Sequence, residues 1–351
     1  MTSNKAFEPT CPLPHSTKNI IQLAHGGGGR LMQELIQDVF VRAFHNPMLA
    51  PLHDGATWPV EKGTLAFTTD SYVVRPLFFP GGDIGSLAVN GTINDLAMCG
   101  AKPLYLSAGF ILEEGLSMEV LQRVVNSMAE AARVAGVPIV TGDTKVVDRG
   151  KGDEIFINTS GVGLVPAGVR VLPTLIQPGD AILVSGDLGS HGVAVLSVRE
   201  GLTFDGHVES DSAPLHRIVS DLIESGIEIH CLRDLTRGGL ASVLNELAVA
   251  AKVGITVEES AVPVSEPVRG ACELLGLDPL YVANEGRFVA MVPARQAEAA
   301  LAVMRRHEAA SRASHIGLVT DRDASRVVLR TVVSTHRVLD LLSGEQLPRI
   351  C

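Results

Sequence analysis

Aspartates at the ends of regular elements are the residues of this 351-residue chain best suited to chemistry. Asp70 closes a strand expected over Thr64 to Thr69, and Asp83 ends the turn Pro80-Gly81-Gly82 before a helix expected over Ile84 to Met98. Asp95 lies in the last turn of that helix. Asp143 follows Gly142, where a short strand from Val137 to Thr141 is expected to stop, and Asp234 precedes the helix that Gly238-Gly239 opens. Aspartate ordinarily caps helices and makes turns, so a structural role accounts for any one of these alone. Asp95 fits that role least: it meets the negative end of the helix macrodipole, and Gly91 one turn earlier leaves its face uncovered. Carboxylates that converge repel one another unless a hard cation sits between them. Mg²⁺ takes carboxylates together with phosphate oxygens, so a magnesium-bound nucleotide is the expected ligand.

A second signal is Gly26-Gly27-Gly28-Gly29 ahead of a helix, with His25 beside it. Glycines admit close backbone approach, and a helix N-terminus offers free N–H groups to phosphate; a plain hinge would look the same. No Walker A segment occurs, and no G-x-G-x-x-G follows a strand, so a nucleotide site here is neither P-loop nor Rossmann in type. The histidines lack metal-ligand spacing and no G-x-S-x-G elbow is present. The cysteines Cys11, Cys99, Cys231, Cys272 and Cys351 are odd in number and contain no C-x-x-C, which implies neither a disulfide framework nor a zinc site. Cys351 is the last residue.

These residues need elements to position them. Leu31, Met32, Leu35, Ile36, Val39, Phe40 and Ala43 form the apolar stripe of an amphipathic helix. Strands are expected around Tyr105 to Leu112 and Ile155 to Leu164, and a long helix between Ser117 and a C-terminal Gly136. The second half carries strands at Ala181 to Ser185, Ile227 to His230 and Phe288 to Val292, strands near Ile316 and Val327, and helices between them. Alternating elements make the class α/β or α+β with mixed sheets. The expected boundaries are 1–48 for an N-terminal extension, glycine-rich loop and helix, 49–165 and 166–334 for two domains, and 335–351 for a mobile tail.

Composition narrows the function. Apolar residues make up 46% of the chain and charged residues 19%, enough to bury real cores. A net charge of −10 and 4% aromatic content exclude a nucleic-acid reader or an anionic-membrane binder, so an anionic ligand needs a local cation or backbone N–H groups. No uncharged apolar run reaches the ~20 residues of a membrane span. Met1 to Asn19 is polar and has no apolar core of a signal peptide, and the expected location is the cytoplasm.

The segments His25 to Arg30, Thr69-Asp70-Ser71-Tyr72-Val73-Val74, Pro76 to Gly85, Thr141-Gly142-Asp143-Thr144-Lys145-Val146-Val147 and Arg233-Asp234-Leu235-Thr236-Arg237-Gly238-Gly239 together resemble the HypE family of [NiFe]-hydrogenase maturation factors. So do Ala283-Asn284-Glu285-Gly286 and the terminal Pro348-Arg349-Ile350-Cys351. The resemblance runs from about residue 20 to the end. It implies the fold of aminoimidazole ribonucleotide synthetase, selenophosphate synthetase and thiamine monophosphate kinase. That means an N-terminal ferredoxin-like α/β domain forming a barrel across a homodimer, and a C-terminal α/β sandwich.

The resemblance also implies the reaction: ATP-dependent dehydration of a carbamoyl group on Cys351 to a thiocyanate, which supplies cyanide to the hydrogenase iron. HypF is the implied carbamoyl donor and a HypC–HypD complex the acceptor. Asp70, Asp83, Asp95, Asp143 and Asp234 then stand as Mg²⁺ ligands. His25, Gly26 to Gly29, Thr69, Asn94 and Gly142 stand as ATP contacts, and Cys351, Lys145 and Glu285 as catalytic residues. Two other readings remain: a non-catalytic carrier of the modified tail, and a different ATP-using enzyme of the same fold. A diffusible substrate would make a terminal thiol unnecessary, and a mere carrier would not need the aspartates.

Overall fold

The computed structural model describes residues 29–35, 37, 51–54, 56–60, 63–202, 208–342, 347 and 349–351. A short helix, α1 (Arg30–Leu35), precedes the first domain. That domain runs β1 (Ala56–Val60), β2 (Gly63–Tyr72), β3 (Phe78–Phe79), β4 (Gly82–Asp83), α2 (Ile84–Met98), β5 (Lys102–Glu113), α3 (Met118–Ala135), β6 (Ile139–Val147) and β7 (Ile155–Val165). Its main sheet has the order β1-β2-β7-β5-β6, antiparallel except for the β5/β6 pair, while β3 and β4 form a separate small hairpin. Burial alternates along β7, the period-2 signature of a sheet with one face on a core.

The helices begin and end where local chemistry says they should. The Asp83 carboxylate accepts from the backbone N–H groups of Gly85 and Ser86, and the Ser86 hydroxyl accepts from Asp83 N–H, a complete capping box for α2. Ser117 caps α3, and Gly136 at φ 75° ends it, in the left-handed region where a residue with a Cβ is disfavoured. Thirteen of the fifteen residues of α2 are buried, because it packs on its own sheet and on the second domain at once.

The second domain runs β8 (Asp180–Val184), α4 (Ser190–Glu200), α5 (His216–Glu224), β9 (Cys231–Asp234), α6 (Gly239–Ala251), β10 (Gly254–Glu258), α7 (Glu266–Leu275), β11 (Phe288–Pro293), α8 (Ala297–Met304), β12 (Ser314–Thr320), β13 (Val327–Arg330) and β14 (His336–Leu339). Its mixed sheet has the order β14-β13-β10-β12-β8-β11-β9. One core, with Ile182, Val184, Leu244 and Met291, lies under α6. Another joins Ala97 and Met98 of α2 to Leu215, Ile218 and Phe288, so the end of α2 is fixed against the second domain.

Several boundaries differ from the expected ones, and the expected tail 335–351 begins with β14, which pairs with β13 and extends the second sheet. The strand through Asp70 continues to Tyr72. The strand expected to stop at Thr141 runs on through Gly142, Asp143 and Lys145 to Val147 as β6, since pairing with β5 supplies its hydrogen bonds. The strand expected at Ile227 to His230 lies instead at Cys231–Asp234, paired with β11. Among the described residues no strands close into a barrel, and no helix is long and apolar enough to cross a membrane.

Candidate functional site

The end of α2 and the end of β9 meet, and each carries a carboxylate. Asp95 and Asp234 join Asp54, in the loop before β1, so that one oxygen of each lies within 4.8 Å of the others. Thr68 of β2 donates its hydroxyl to Asp95 Oδ2 at 2.8 Å. Arg233 anchors the third member, with Nε 2.7 Å from Asp54 Oδ1 and a terminal nitrogen 2.8 Å from Glu246 Oε2. Asp54 Oδ2 is buried and has no hydrogen-bond partner.

Charge repulsion and burial act together here. Burial, and then the neighbouring Asp234, Asp70 and Asp54, hold the Asp95 carboxyl well above the ordinary carboxylate range. Asp54 is likewise pushed up by burial, with Arg233 opposing. Asp234 rises to about 6, again mainly through burial, with Arg233 opposing and Asp70 adding. Three carboxylates, Asp234 buried and Asp54 and Asp95 partly so, with one oxygen left orphaned, fit a hard divalent cation such as Mg²⁺, which would replace both the lost water and the mutual repulsion.

Around this cluster lies a second group. Asp70 on β2 faces Arg237, whose guanidinium nitrogen is 3.9 Å from Asp70 Oδ1. Glu285 is buried, its Oε1 has no hydrogen-bond partner, and burial followed by Asp234, Asp70 and Asp211 raises its carboxyl far above the usual range. Arg237 opposes that rise.

Cys351 reaches this place because the tail docks along the segment after β2. Val73 N–H donates to Cys351 O at 3.1 Å and Arg75 N–H to Arg349 O at 3.2 Å, an antiparallel pairing. Ile350 is buried in the first-domain core with Val74, Leu77 and Val195. The half-buried Cys351 thiol is pushed up to about 12, first by burial, with Arg237 opposing and Glu285, Asp70 and Asp234 adding. In this position it is a neutral thiol rather than a free nucleophile.

Of the expected site residues, Asp70, Asp95, Asp234, Glu285 and Cys351 share one neighbourhood. Asp83 caps the end of α2 opposite Asp95, with one carboxylate oxygen accepting from Gly85 and Ser86 N–H and the other left out of the cap. Asp143 and Lys145 lie on the exposed edge strand β6, 3.7 Å from each other and with side chains 74% and 73% exposed. The pairing Asp70–Thr159, Thr159–Ala108, Ala108–Gly142 puts that edge three strand spacings from Asp70, roughly 14 Å. Gly142 lies against β5, where a Cβ would come within 2.2 Å of Ala108 O. Within one protomer this set therefore does not join the cluster.

Thr69 donates to Thr159 O across the sheet. Asn94 uses both ends of its amide internally: Nδ2 donates to Ala213 O and Glu285 O, and Oδ1 accepts from Leu215 N–H. It ties α2 to the Glu285 backbone. The face that Gly91 leaves open is filled by Tyr72, whose hydroxyl would lie 2.1 Å from a Cβ there. Gly29 packs against Leu342, while His25, Gly26, Gly27 and Gly28 fall outside the described residues.

Sequence reasoning did not single out Asp54, Arg233 or Arg237 as site residues. Asp54 sits in Leu-His-Asp-Gly, which reads as a turn, and only the fold brings it to Asp95. Arg233 and Arg237 flank Asp234 in one motif, and two cations bracketing a candidate ligand were the available signal.

Residues 52–165 match the AIR synthase related protein N-terminal domain and residues 177–330 its C-terminal domain. Carbamoyl dehydratase HypE of Azotobacter vinelandii is 54% identical over 331 residues, 94% of this chain and 97% of that protein. A crystal structure of hydrogenase maturation protein HypE in complex with ATP is 52% identical with a TM-score of 0.81, over 95% of this chain and 100% of the other. A HypE–HypF complex gives a TM-score of 0.84 at 49% identity, over 88% and 99%.

Proposed function

We propose, for a chain that belongs to the HypE carbamoyl dehydratase family, that its C-terminal Cys351 carries a carbamoyl group which the chain dehydrates to a thiocyanate at the expense of ATP. One observation carries this reading. The last residue of the chain is seated beside Arg237, Glu285 and a cluster of buried carboxylates suited to a divalent cation.

A thiocarbamate, S–CO–NH₂, holds an oxygen that does not leave as oxide or hydroxide. Transfer of the γ-phosphoryl group of ATP to that oxygen gives ADP and a phosphate ester. Expulsion of phosphate with loss of the nitrogen protons then leaves S–C≡N. Asp54, Asp95 and Asp234, with Asp70 at their rim, would hold Mg²⁺, which neutralises phosphate charge. Glu285 is the base for an N–H proton: burial makes its carboxylate more basic than an exposed one, and its unpartnered Oε1 leaves a position for that proton. Arg237 faces the developing charge and limits the rise of both Glu285 and Cys351. The docked tail shields the activated ester from water, which would hydrolyse it back.

The partners follow from the chemistry. A thiol at pKa about 12 does not attack a carbamoyl donor from this seat, so the tail must leave it to be loaded. A HypF-type carbamoyltransferase loads it, and a HypC–HypD complex takes the cyanide for iron. A homodimer forms along β6, an open edge whose Val140 and Val146 are 58% and 67% exposed. Asp143 and Lys145 lie on that edge and act through such an assembly, as cation ligand and proton-transfer residue. The protein works in the cytoplasm.

The test is ATP consumption. Protein loaded with carbamoyl on Cys351 should form one ADP per modified thiol in a single turnover, and Cys351→Ala should form none. ADP formation at equal rates from unmodified and carbamoylated protein would contradict the reading. A pure carrier would form none at all.

A further inference from the structure

The tail is held by more than the two backbone bonds that place Cys351. His191, in the first turn of α4, is fully buried, with Nε2 2.9 Å from Ile350 O and Nδ1 2.8 Å from Ser210 Oγ. Burial lowers its pKa, so the ring is neutral, with one donor and one acceptor. A carbonyl only accepts, so Nε2 carries the hydrogen and Nδ1 accepts from Ser210. The Ser210 hydroxyl in turn accepts from Ser212 N–H at 3.1 Å, and the edge of the Phe79/His191 ring pair fixes the imidazole plane. The tautomer is thus built to present a donor to the tail.

At the other end of α4, Arg199 crosses both strands of the pairing. Its guanidinium donates to Arg75 O at 2.7 Å and to Arg349 O at 2.6 Å. From the loop between β6 and β7, Asp153 takes Arg75 at 2.9 Å on one oxygen and Arg349 on the other. Arg349 has φ 55°, a region that a side-chain-bearing residue keeps only where its surroundings over-determine it. Contacts from both domains therefore converge on three consecutive residues.

We propose that His191, Arg199 and Asp153 form a seat that reads the register of the tail, making them positioning residues that set where Cys351 stands in the site. Register is the consequential quantity. A one-residue slip along an extended pairing would turn Ile350 out of the core and drive Arg349 into it. The seat accordingly accepts a tail of one length with a cation, an apolar side chain and the thiol in that order. The proposal rests on Cys351 being the carrier, and its test separates the two.

The experiment alkylates the intact, full-length protein with N-ethylmaleimide and follows Cys351 by peptide mass spectrometry. Arg199→Met, Asp153→Asn and His191→Leu should each raise the Cys351 rate about tenfold or more, the size expected for losing a charge-assisted or buried hydrogen bond. Arg199→Lys and His191→Gln, which keep a donor, should return most of the protection. Arg199 and Asp153 lie near the surface, so their variants answer even if His191→Leu fails to fold. In parallel, ATP-driven loss of water from carbamoylated Cys351 should slow about tenfold in the Met, Asn and Leu variants, with ATP affinity unchanged. Wild-type alkylation and dehydration rates in Arg199→Met and Asp153→Asn would overturn the seat, as would melting changes without rescue by Lys or Gln. If wild-type Cys351 never accepts carbamoyl, the assigned reaction fails, and the alkylation series still decides the seat.

Discussion

The end of β9 and the middle of β6 both present an aspartate beside a cation in a short polar motif, yet the fold treats them oppositely. Asp234, with Arg233 and Arg237 around it, is drawn into a buried cluster with Asp54 and Asp95. Asp143, with Lys145 two residues on, stays in solvent on an open sheet edge. The difference is topological. β9 faces the packed end of α2, whereas among the described residues no strand pairs with the outer edge of β6. Like residues in like motifs thus acquire strongly raised pKa values in one place and ordinary solvation in the other.

The largest effect should come from the buried region. Asp234→Asn or Asp95→Asn should reduce ATP-driven dehydration on the order of 10²-fold or more, as expected for losing a group that organises transition-state charge. The same changes should leave the cation-free protein as stable or raise its melting temperature, because they relieve repulsion among buried carboxylates. Thermal melts in EDTA and single-turnover assays check both halves. A fall in both stability and turnover would make these carboxylates structural.

A pH series sharpens the contrast. The native Asp234 carboxyl is pushed up to about 6 from the ordinary 3.8, chiefly by burial, so between those values the folded state binds the extra proton. Cation-free stability should therefore be highest below pH 4 as far as this group is concerned, and should fall as pH rises to 6. Mg²⁺ needs the ionised carboxylate, so its affinity should weaken by up to about tenfold per unit below pH 6. Calorimetric Mg²⁺ titrations at pH 5 and pH 7.5 measure this, and equal affinities would contradict it.

On the exposed side, Val146→Lys should abolish the proposed homodimer while changing the protomer's own stability by only about 0.5 kcal/mol or less, as for other surface substitutions. Light scattering at matched concentration shows the mass. A monomer that keeps full turnover would remove β6, and with it Asp143 and Lys145, from the reaction. The smallest effect belongs to Asp83. Asp83→Ala should cost about 1 kcal/mol through the lost α2 cap, and Asp83→Ser should restore it. Loss of turnover in Asp83→Ser at full stability would give Asp83 a second role, on its other carboxylate oxygen.

How far the sequence carried depended on whether a signal was local. The start of α2 is legible in Asp83, and the ends of α3 in Ser117 and Gly136, because caps are set by neighbouring residues. β6 was cut short because Gly142-Asp143-Thr144-Lys145 is a turn by composition, and only pairing with β5 makes it a strand. The expectation for β9 falls too early because Ile227 and Ile229 alternate with polar residues, while the strand itself sets Arg233 and Asp234 against partners far along the chain. Asp95 stood out because it defied the helix dipole, an oddity visible in one helix. Asp54 did not, since its chemistry exists only through Arg233, Asp95 and Asp234. The tail carried little core-forming pattern, yet Ile350 is buried, because three residues docked on a preformed surface need no periodicity of their own.

The central claim is that chemistry occurs on the last residue of the chain, inside its own site. Its most direct measurement is mass spectrometry of the protein incubated with a carbamoyltransferase, its carbamoyl donor, ATP and Mg²⁺, with fragmentation to locate the adduct. The account predicts one carbamoyl group on Cys351, followed by the loss of one water from that same residue only when ATP is present. An adduct on Cys11, Cys99, Cys231 or Cys272, or a Cys351 carbamoyl that persists unchanged with ATP, would contradict it.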